Sequence, residues 1–170
     1  MQNKESAVNI KTNRKINKTS QKIENQLVEW QKRIVKIRKI VKVVKGGKKF
    51  RYGIIVAIGD EKGQVGLGIG KAEDVVEAVD KATNDAKRHL IKILLTKNYS
   101  IPYTIKGHYG AAKVIIKPAN IGSGVFAGGS VRAILELSGI QNISAKQLGC
   151  DNLLNNGRAA ICALNSMINN

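Results

Sequence analysis

Residues 33–58 read RIVKIRKIVKVVKGGKKFRYGIIVAI, and this stretch decides the fold of the first half of the chain. From Arg33 to Lys45, β-branched Val and Ile are interleaved with Lys and Arg at near-alternation, which predicts a strand. Val35, Ile37, Val41 and Val43 share one parity, with a slip expected near Lys39–Ile40. Lys45-Gly46-Gly47-Lys48-Lys49 predicts a turn whose two glycines are free to take positive φ. Phe50 to Ile58 reads as a second strand, Gly59-Asp60-Glu61-Lys62-Gly63 as a hairpin connection, and Gln64 to Ile69 as a third strand. Gly66, Gly68 and Gly70 weaken that third strand and predict close approach of another segment.

Working outward, Ala72 to Leu95 predicts a long helix. Ala72, Val75, Val76, Val79, Ala82, Ala86, Leu90, Ile93 and Leu94 recur at three- and four-residue steps. Glu73, Asp74 and Glu77 near its start and Lys87, Arg88, Lys92 and Lys97 near its end complement the helix dipole. Asn98 to Pro102 breaks the pattern and marks a domain boundary. Strands are expected at Tyr103–Lys106 and Ala112–Lys117, a glycine-rich loop from Pro118 to Gly129, a short helix from Ser130 to Leu137 stopped at Gly139, and a strand at Ile143–Leu148. Leu153, Leu154, Ala160, Ile161, Leu164 and Ile168 form a last amphipathic helix capped by Asp151 or Asn152. Residues 1–27 are polar and basic, without the apolar segment of a secretory signal, and read as a retained flexible arm.

Composition narrows the function. The 170 residues carry 29 Lys+Arg against 12 Asp+Glu, a formal charge of +17. Ten of the cations and a single acid, Glu29, fall in residues 29–53. Such crowding costs stability unless a counter-charge arrives, so a polyanion, and nucleic acid first, is the expected partner. Aromatic residues make up only 4%, which argues against a module that grips bases on exposed rings. No apolar run approaches the roughly 20 residues of a membrane span. Cys150 and Cys162 are too few for a disulfide scaffold and read as small buried thiols, and His89 and His108 lack metal-ligand spacing.

Two glycine motifs invite phosphate chemistry. Gly66-Leu67-Gly68-Ile69-Gly70-Lys71 fails the P-loop pattern, because Val65 and Ala72 stand where Gly and Ser/Thr are needed. Pro118-Ala119-Asn120-Ile121-Gly122-Ser123-Gly124, then Gly128-Gly129-Ser130, leads straight into a helix and is the better anion-loop candidate. A kinase needs carboxylates for Mg²⁺, yet Glu136 and Asp151 are the only acids in the second half. No catalytic set, cofactor or metal is expected. The competing readings are a phosphate-binding enzyme using Gly122–Ser130 and a free regulator of double-stranded RNA.

Three motifs together carry a resemblance. Val41-Lys42-Val43-Val44-Lys45-Gly46-Gly47-Lys48-Lys49-Phe50, Val65-Gly66-Leu67-Gly68-Ile69-Gly70-Lys71-Ala72 and Gly124-Val125-Phe126-Ala127-Gly128-Gly129-Ser130-Val131-Arg132-Ala133 resemble the bacterial-type family of small-subunit ribosomal protein number five. The likeness covers roughly residues 28–168 in order and spacing. It implies an α+β protein of two domains. Residues 28–97 would be similar to the double-stranded-RNA-binding fold, a three-stranded antiparallel sheet plus a helix, and residues 98–170 would form a small β-α-β-α domain.

The resemblance further implies a structural, non-catalytic role in the small ribosomal subunit, with 16S-type ribosomal RNA as partner. Proteins number four and number eight would be neighbours, protein number twelve would share the support of translational accuracy, and messenger RNA would enter nearby. Charge and resemblance together nominate Arg33, Lys36, Arg38, Lys39, Lys42, Lys45, Gly46, Gly47, Lys48, Lys49 and Arg51 for RNA. The resemblance nominates Gly122, Gly124, Gly128, Gly129 and Arg132 for contact with protein number four. Lys71 alone precedes acidic Glu73 and Asp74, so the first helix N-terminus should be a poor phosphate clamp, which shifts RNA contact to the first strand and its turn. Asp151-Asn152-Leu153-Leu154-Asn155-Asn156 is similar to the cyanobacterial and plastid branch, which favours a plastid ribosome over a bacterial cytoplasm.

Overall fold

In the computed structural model, which describes residues 29–93 and 95–167, the near-alternation on either side of Lys45-Gly46 closes a long hairpin. Strand β1 (Gln31–Val44) pairs antiparallel with β2 (Gly47–Gly59), and β2 pairs antiparallel with β3 (Gln64–Ala72). The expected 1–27 arm, Leu94 and Ile168 lie outside the described residues. The slip in β1 is at Val35, not at Lys39–Ile40: the register passes from Ile34↔Val56 directly to Lys36↔Ile55. The bulge turns Val35 toward the interior and takes it out of the parity group of Ile37, Val41 and Val43. Of the two glycines in the turn, only Gly47 has positive φ, at 137°.

The second half of β2, from Ile54 to Gly59, is the centre of the molecule, because both of its faces are buried. Ile54, Val56 and Ile58 pack against Ala78, Ala82 and Ala86 of helix α1 (Val75–Arg88). Ile55 and Ala57, pointing the other way, join a larger core with Val114, Ile134 and Leu164 from the second half of the chain. The glycines of β3 do what their spacing implied. A Cβ on Gly66, Gly68 or Gly70 would stand 2.5, 2.2 or 2.0 Å from the carbonyl oxygens of Ala86, Ala82 and Ala78. Helix backbone therefore lies directly on strand backbone, an approach that only glycine against alanine permits.

The helix is shorter than the Ala72–Leu95 expected from periodicity. Ala72 still belongs to β3, Asp74 is the N-cap, and the helix ends at His89. Ile91–Lys92 forms β4, which pairs with Gln64–Val65 and completes a sheet of order β1-β2-β3-β4, four strands where three were expected. Apolar spacing misled here because Leu90 and Ile93 pack inward from extended chain, while Val76, within the predicted stripe, is 66% exposed.

The second half builds the sheet β5-β6-β8-β7 from β5 (Ile105–Tyr109), β6 (Ala112–Pro118), β7 (Val125–Phe126) and β8 (Ile143–Leu148). Helices α2 (Gly129–Leu137) and α3 (Leu153–Ser166) cover its inner face. The β5-β6 and β6-β8 pairs are antiparallel and β7 runs parallel to β8. Strand β5 lies two residues later than the expected Tyr103–Lys106. Gly107, beyond the end of the expected strand, is inside the observed one, where a Cβ would stand 2.1 Å from the Ala159 carbonyl oxygen of α3. The glycine-rich loop contains the short β7, which sequence pattern missed. Asn152 is the α3 cap, its side chain accepting from the Leu154 N–H. Neither cysteine is fully buried, contrary to expectation: Cys150 is half-buried and Cys162 exposed on α3.

Sequence and packing together make a direct test. Gly68→Ala should destabilise by about 1–3 kcal/mol through overpacking against Ala82. Gly46→Ala, where nothing lies within 4 Å, should leave the denaturant midpoint almost unchanged. Equal midpoints for the two variants would refute the glycine–alanine contact.

Candidate nucleic-acid interface

Strand register sorts the basic residues onto two faces. Cross-strand partners share a face, and Gly53 of β2 pairs with both Arg38 of β1 and Lys71 of β3. Extending that parity places Arg33, Lys36, Arg38, Lys42, Lys49 and Arg51 on the same face as Lys71. Beyond the bulge, this is the face opposite α1. At its outer end Ile40, Lys42, Val44, Lys49, Arg51 and Lys71 line an open depression of about 400 Å³. Lys42 stands directly across from Lys49. A like-charge cross-strand pair is repulsive, and here it stands beside further cations.

The α1-side face is different. It carries Ile37, Lys39, Val41, Val43, Lys48 and Phe50, and Val43 is 73% exposed. The Lys39 ammonium lies 4.2 Å from the centroid of the Phe50 ring. Lys45 and Gly46 form the turn itself. The nominated RNA residues are thus all on one hairpin, but on both of its sides. The Val and Ile of β1 do not anchor it to the long helix, although their shared parity would suit such packing. Strand β1 is exposed along almost its whole length, and α1 sits on β2 and β3, whose glycines alone admit it.

Three nominated cations have carboxylate partners inside the protein. Arg33 forms an ion pair with Glu136 of α2, and Arg132 donates to the same carboxylate at 2.7 Å. Arg51 reaches Glu73 at 3.4 Å. Next to it, the Asp74 side chain accepts from the Val75 N–H at 2.7 Å and occupies the α1 N-terminus. Lys71, Glu136 and Asn142 were not among the nominated residues. Strand register would have supplied Lys71 had the third strand been drawn to Ala72.

The other nominated group surrounds the start of α2. Gly122 and Gly124 have φ of 87° and 77° in an open loop, Gly128 is the α2 N-cap, Gly129 opens the helix and Arg132 lies one turn on. Buried Asn142 holds this loop: its Oδ1 accepts from the Gly122 N–H at 2.8 Å, and its Nδ2 donates to the Asn98 carbonyl at 3.1 Å. The loop is thereby tied to the connector between the two sheets. Among the described residues no cluster of His, Cys, Asp and Glu could hold a metal ion, and no helix is long and apolar enough to cross a membrane.

The molecule is thus a basic hairpin on a glycine-packed sheet, joined through a common core to a β/α unit. The chain belongs to the ribosomal protein S5 family. Residues 30–94 match the family model described as ribosomal protein S5, N-terminal domain, and residues 107–169 match ribosomal protein S5, C-terminal domain. It is similar to the small ribosomal subunit protein uS5c of Rhodomonas salina, 56% identical over 145 residues, which are 85% of this chain and 86% of that protein. The uS5c of Cyanophora paradoxa is 54% identical over 146 residues, 86% of each chain. The uS5 of the cyanobacterium Trichormus variabilis is 53% identical over 154 residues, 91% of this chain and 86% of its own. Family members are non-enzymatic constituents of the small subunit, which removes the phosphate-binding enzyme as a reading. Relatives of both kinds are consistent with a plastid or a bacterial ribosome.

Glu136→Gln should weaken both arginine contacts yet lower stability by about 1 kcal/mol or less, because the arginines are half in solvent. The deficit should shrink at high salt in urea titrations. A loss of several kcal/mol would show the carboxylate to be a structural keystone instead.

Proposed function

We propose that this protein binds small-subunit ribosomal RNA through the face of the β1–β2 hairpin that carries Lys36, Arg38, Lys42, Lys49 and Arg51, with Lys71 beside them. The observation that carries the reading is the Lys42–Lys49 pair, without a carboxylate partner among the described residues, at the mouth of a depression lined by further cations. Phosphates settling there would release counterions and relieve the repulsion. Lys39, Lys45 and Lys48, on the turn and the opposite face, would contact RNA passing around the tip, with Gly46 and Gly47 allowing close backbone approach. Arg33, engaged by Glu136, would contribute least.

In this reading the domain of residues 28–97 carries the RNA-facing hairpin, and the domain of residues 98–170 carries a protein-facing loop. The open loop at Gly122 and Gly124, continuing through Gly128, Gly129 and Arg132, meets protein number four, and protein number eight is a second neighbour. With proteins number four and twelve the chain supports translational accuracy near the entry of messenger RNA. A plastid small subunit is the favoured setting, on the wording of the motifs and the algal uS5c relatives, with a bacterial cytoplasm the alternative.

Lys42→Glu with Lys49→Glu should abolish incorporation into small subunits in gradient sedimentation while leaving the melting temperature within a few degrees of the parent. Lys45→Glu with Lys48→Glu should impair incorporation less. Normal sedimentation of the first double variant with the particle would overturn the proposal.

A further inference from the structure

The second sheet has an open face that the hairpin reading does not use. Helices α2 and α3 cover only one side of β5-β6-β8-β7, and the residues pointing away from them are exposed. Register places those residues in rows. His108, Lys113 and Leu148 form one row; Lys106, Ile115 and Lys146 the next; Lys117, Ser144 and Phe126 the third. Lys106 and Lys146 each lie diagonal to both Lys113 and Lys117, so the four ammonium-bearing positions surround Ile115. Diagonal neighbours on a sheet are roughly 7–8 Å apart.

Four of the six cations after residue 98 are gathered on this face. Only two acids lie in that half of the chain: Glu136 is on α2 with its two arginines, and Asp151 lies beyond the end of β8. Among the described residues none of the four lysines has a carboxylate within salt-bridge distance. At the β7 edge, Phe126 (65% exposed) and Lys146 line a shallow depression of about 370 Å³ with Ser144 and Gln147.

We propose that this face is a second seat for RNA, gripping sugar-phosphate backbone separate from the segment held by the hairpin. An RNA occupant fits better than a protein one. Lysine is depleted at the centre of protein–protein interfaces, where its desolvation is costly, and here lysines ring the centre with only half-buried Ile115 between them. Phosphates, in contrast, neutralise such a ring without desolvating it fully and return counterions to solution. Phe126 and Leu148 at the margins offer apolar contact to ribose or base. The seat rests on RNA being the partner, and it adds a second attachment on the other sheet, so the protein would span two RNA segments rather than decorate one.

The test uses the full chain and protein-free small-subunit ribosomal RNA as probe, with affinity measured across a salt series. Replacing Lys106, Lys113, Lys117 and Lys146 together by Gln should make the slope of log K against log salt shallower by about 3, four phosphate contacts at roughly 0.7–0.9 each. The four-fold Lys→Arg variant should keep the parental slope. Should the Gln variant lose its folded circular dichroism signal, Lys113→Gln alone should flatten the slope by about 1. A parental slope for the folded Gln variant overturns the seat, whether or not Lys42→Gln with Lys49→Gln flattens it. A flattened slope in that hairpin variant alone leaves the hairpin reading standing by itself. Parental RNA binding combined with failed incorporation into particles would assign the face to a protein and also overturn the seat.

Discussion

The structure depends on a stretch of β2, Ile54 to Ile58, that has no outward face. Ile54, Val56 and Ile58 of β2 serve the alanines of α1, while Ile55 and Ala57 serve the core of the second sheet. A run of five apolar residues is therefore shared between two cores, and each half of the molecule completes the other. The hairpin at residues 59–63 reinforces the joint. The Glu61 N–H donates to the Leu137 carbonyl at 3.0 Å, and a Cβ on Gly59 would stand 2.1 Å from that same oxygen. Burial on both sides is what fixes β2 rigidly enough to carry a partner strand with almost no packing of its own.

That partner strand is the exception that function explains. Strand β1 is held by its ladder to β2, by Val35 turned inward at the bulge and by Arg33 on Glu136. Its remaining side chains, apolar ones included, face solvent. A sheet edge with this much exposed Val and Ile is an aggregation hazard, and the interleaved lysines and arginines act against strand-to-strand association between copies. The same charges that guard the free protein are those available to a polyanion.

Much of this was legible in the residues, and the failures have identifiable physical causes. Alternation and β-branching exposed the hairpin because few other folds tolerate Lys and Val in near-strict sequence. The glycines at 66, 68 and 70 announced a close approach, and their partners proved to be Ala78, Ala82 and Ala86. What could not be read was tertiary in origin. A bulge at Val35 follows from where the second core lies, and the exchange of helix for strand after His89 follows from an edge left open beside Gln64 and Val65. The basic cluster was visible as a count, but its division into two faces required register, and the pairing of Arg33 with an acid 103 positions away required the fold.

Past Ile40 the hairpin has left the helix behind, and among the described residues its two strands are paired only with each other. A feature built this way would meet a partner already shaped, so little chain entropy would be lost on contact, whereas a loose loop of the same composition would have to be ordered then. Its slender profile also lets it enter a cleft too narrow for a helix-backed sheet. The cost of that reach was met when β2 was wedged between its two cores, well before any encounter.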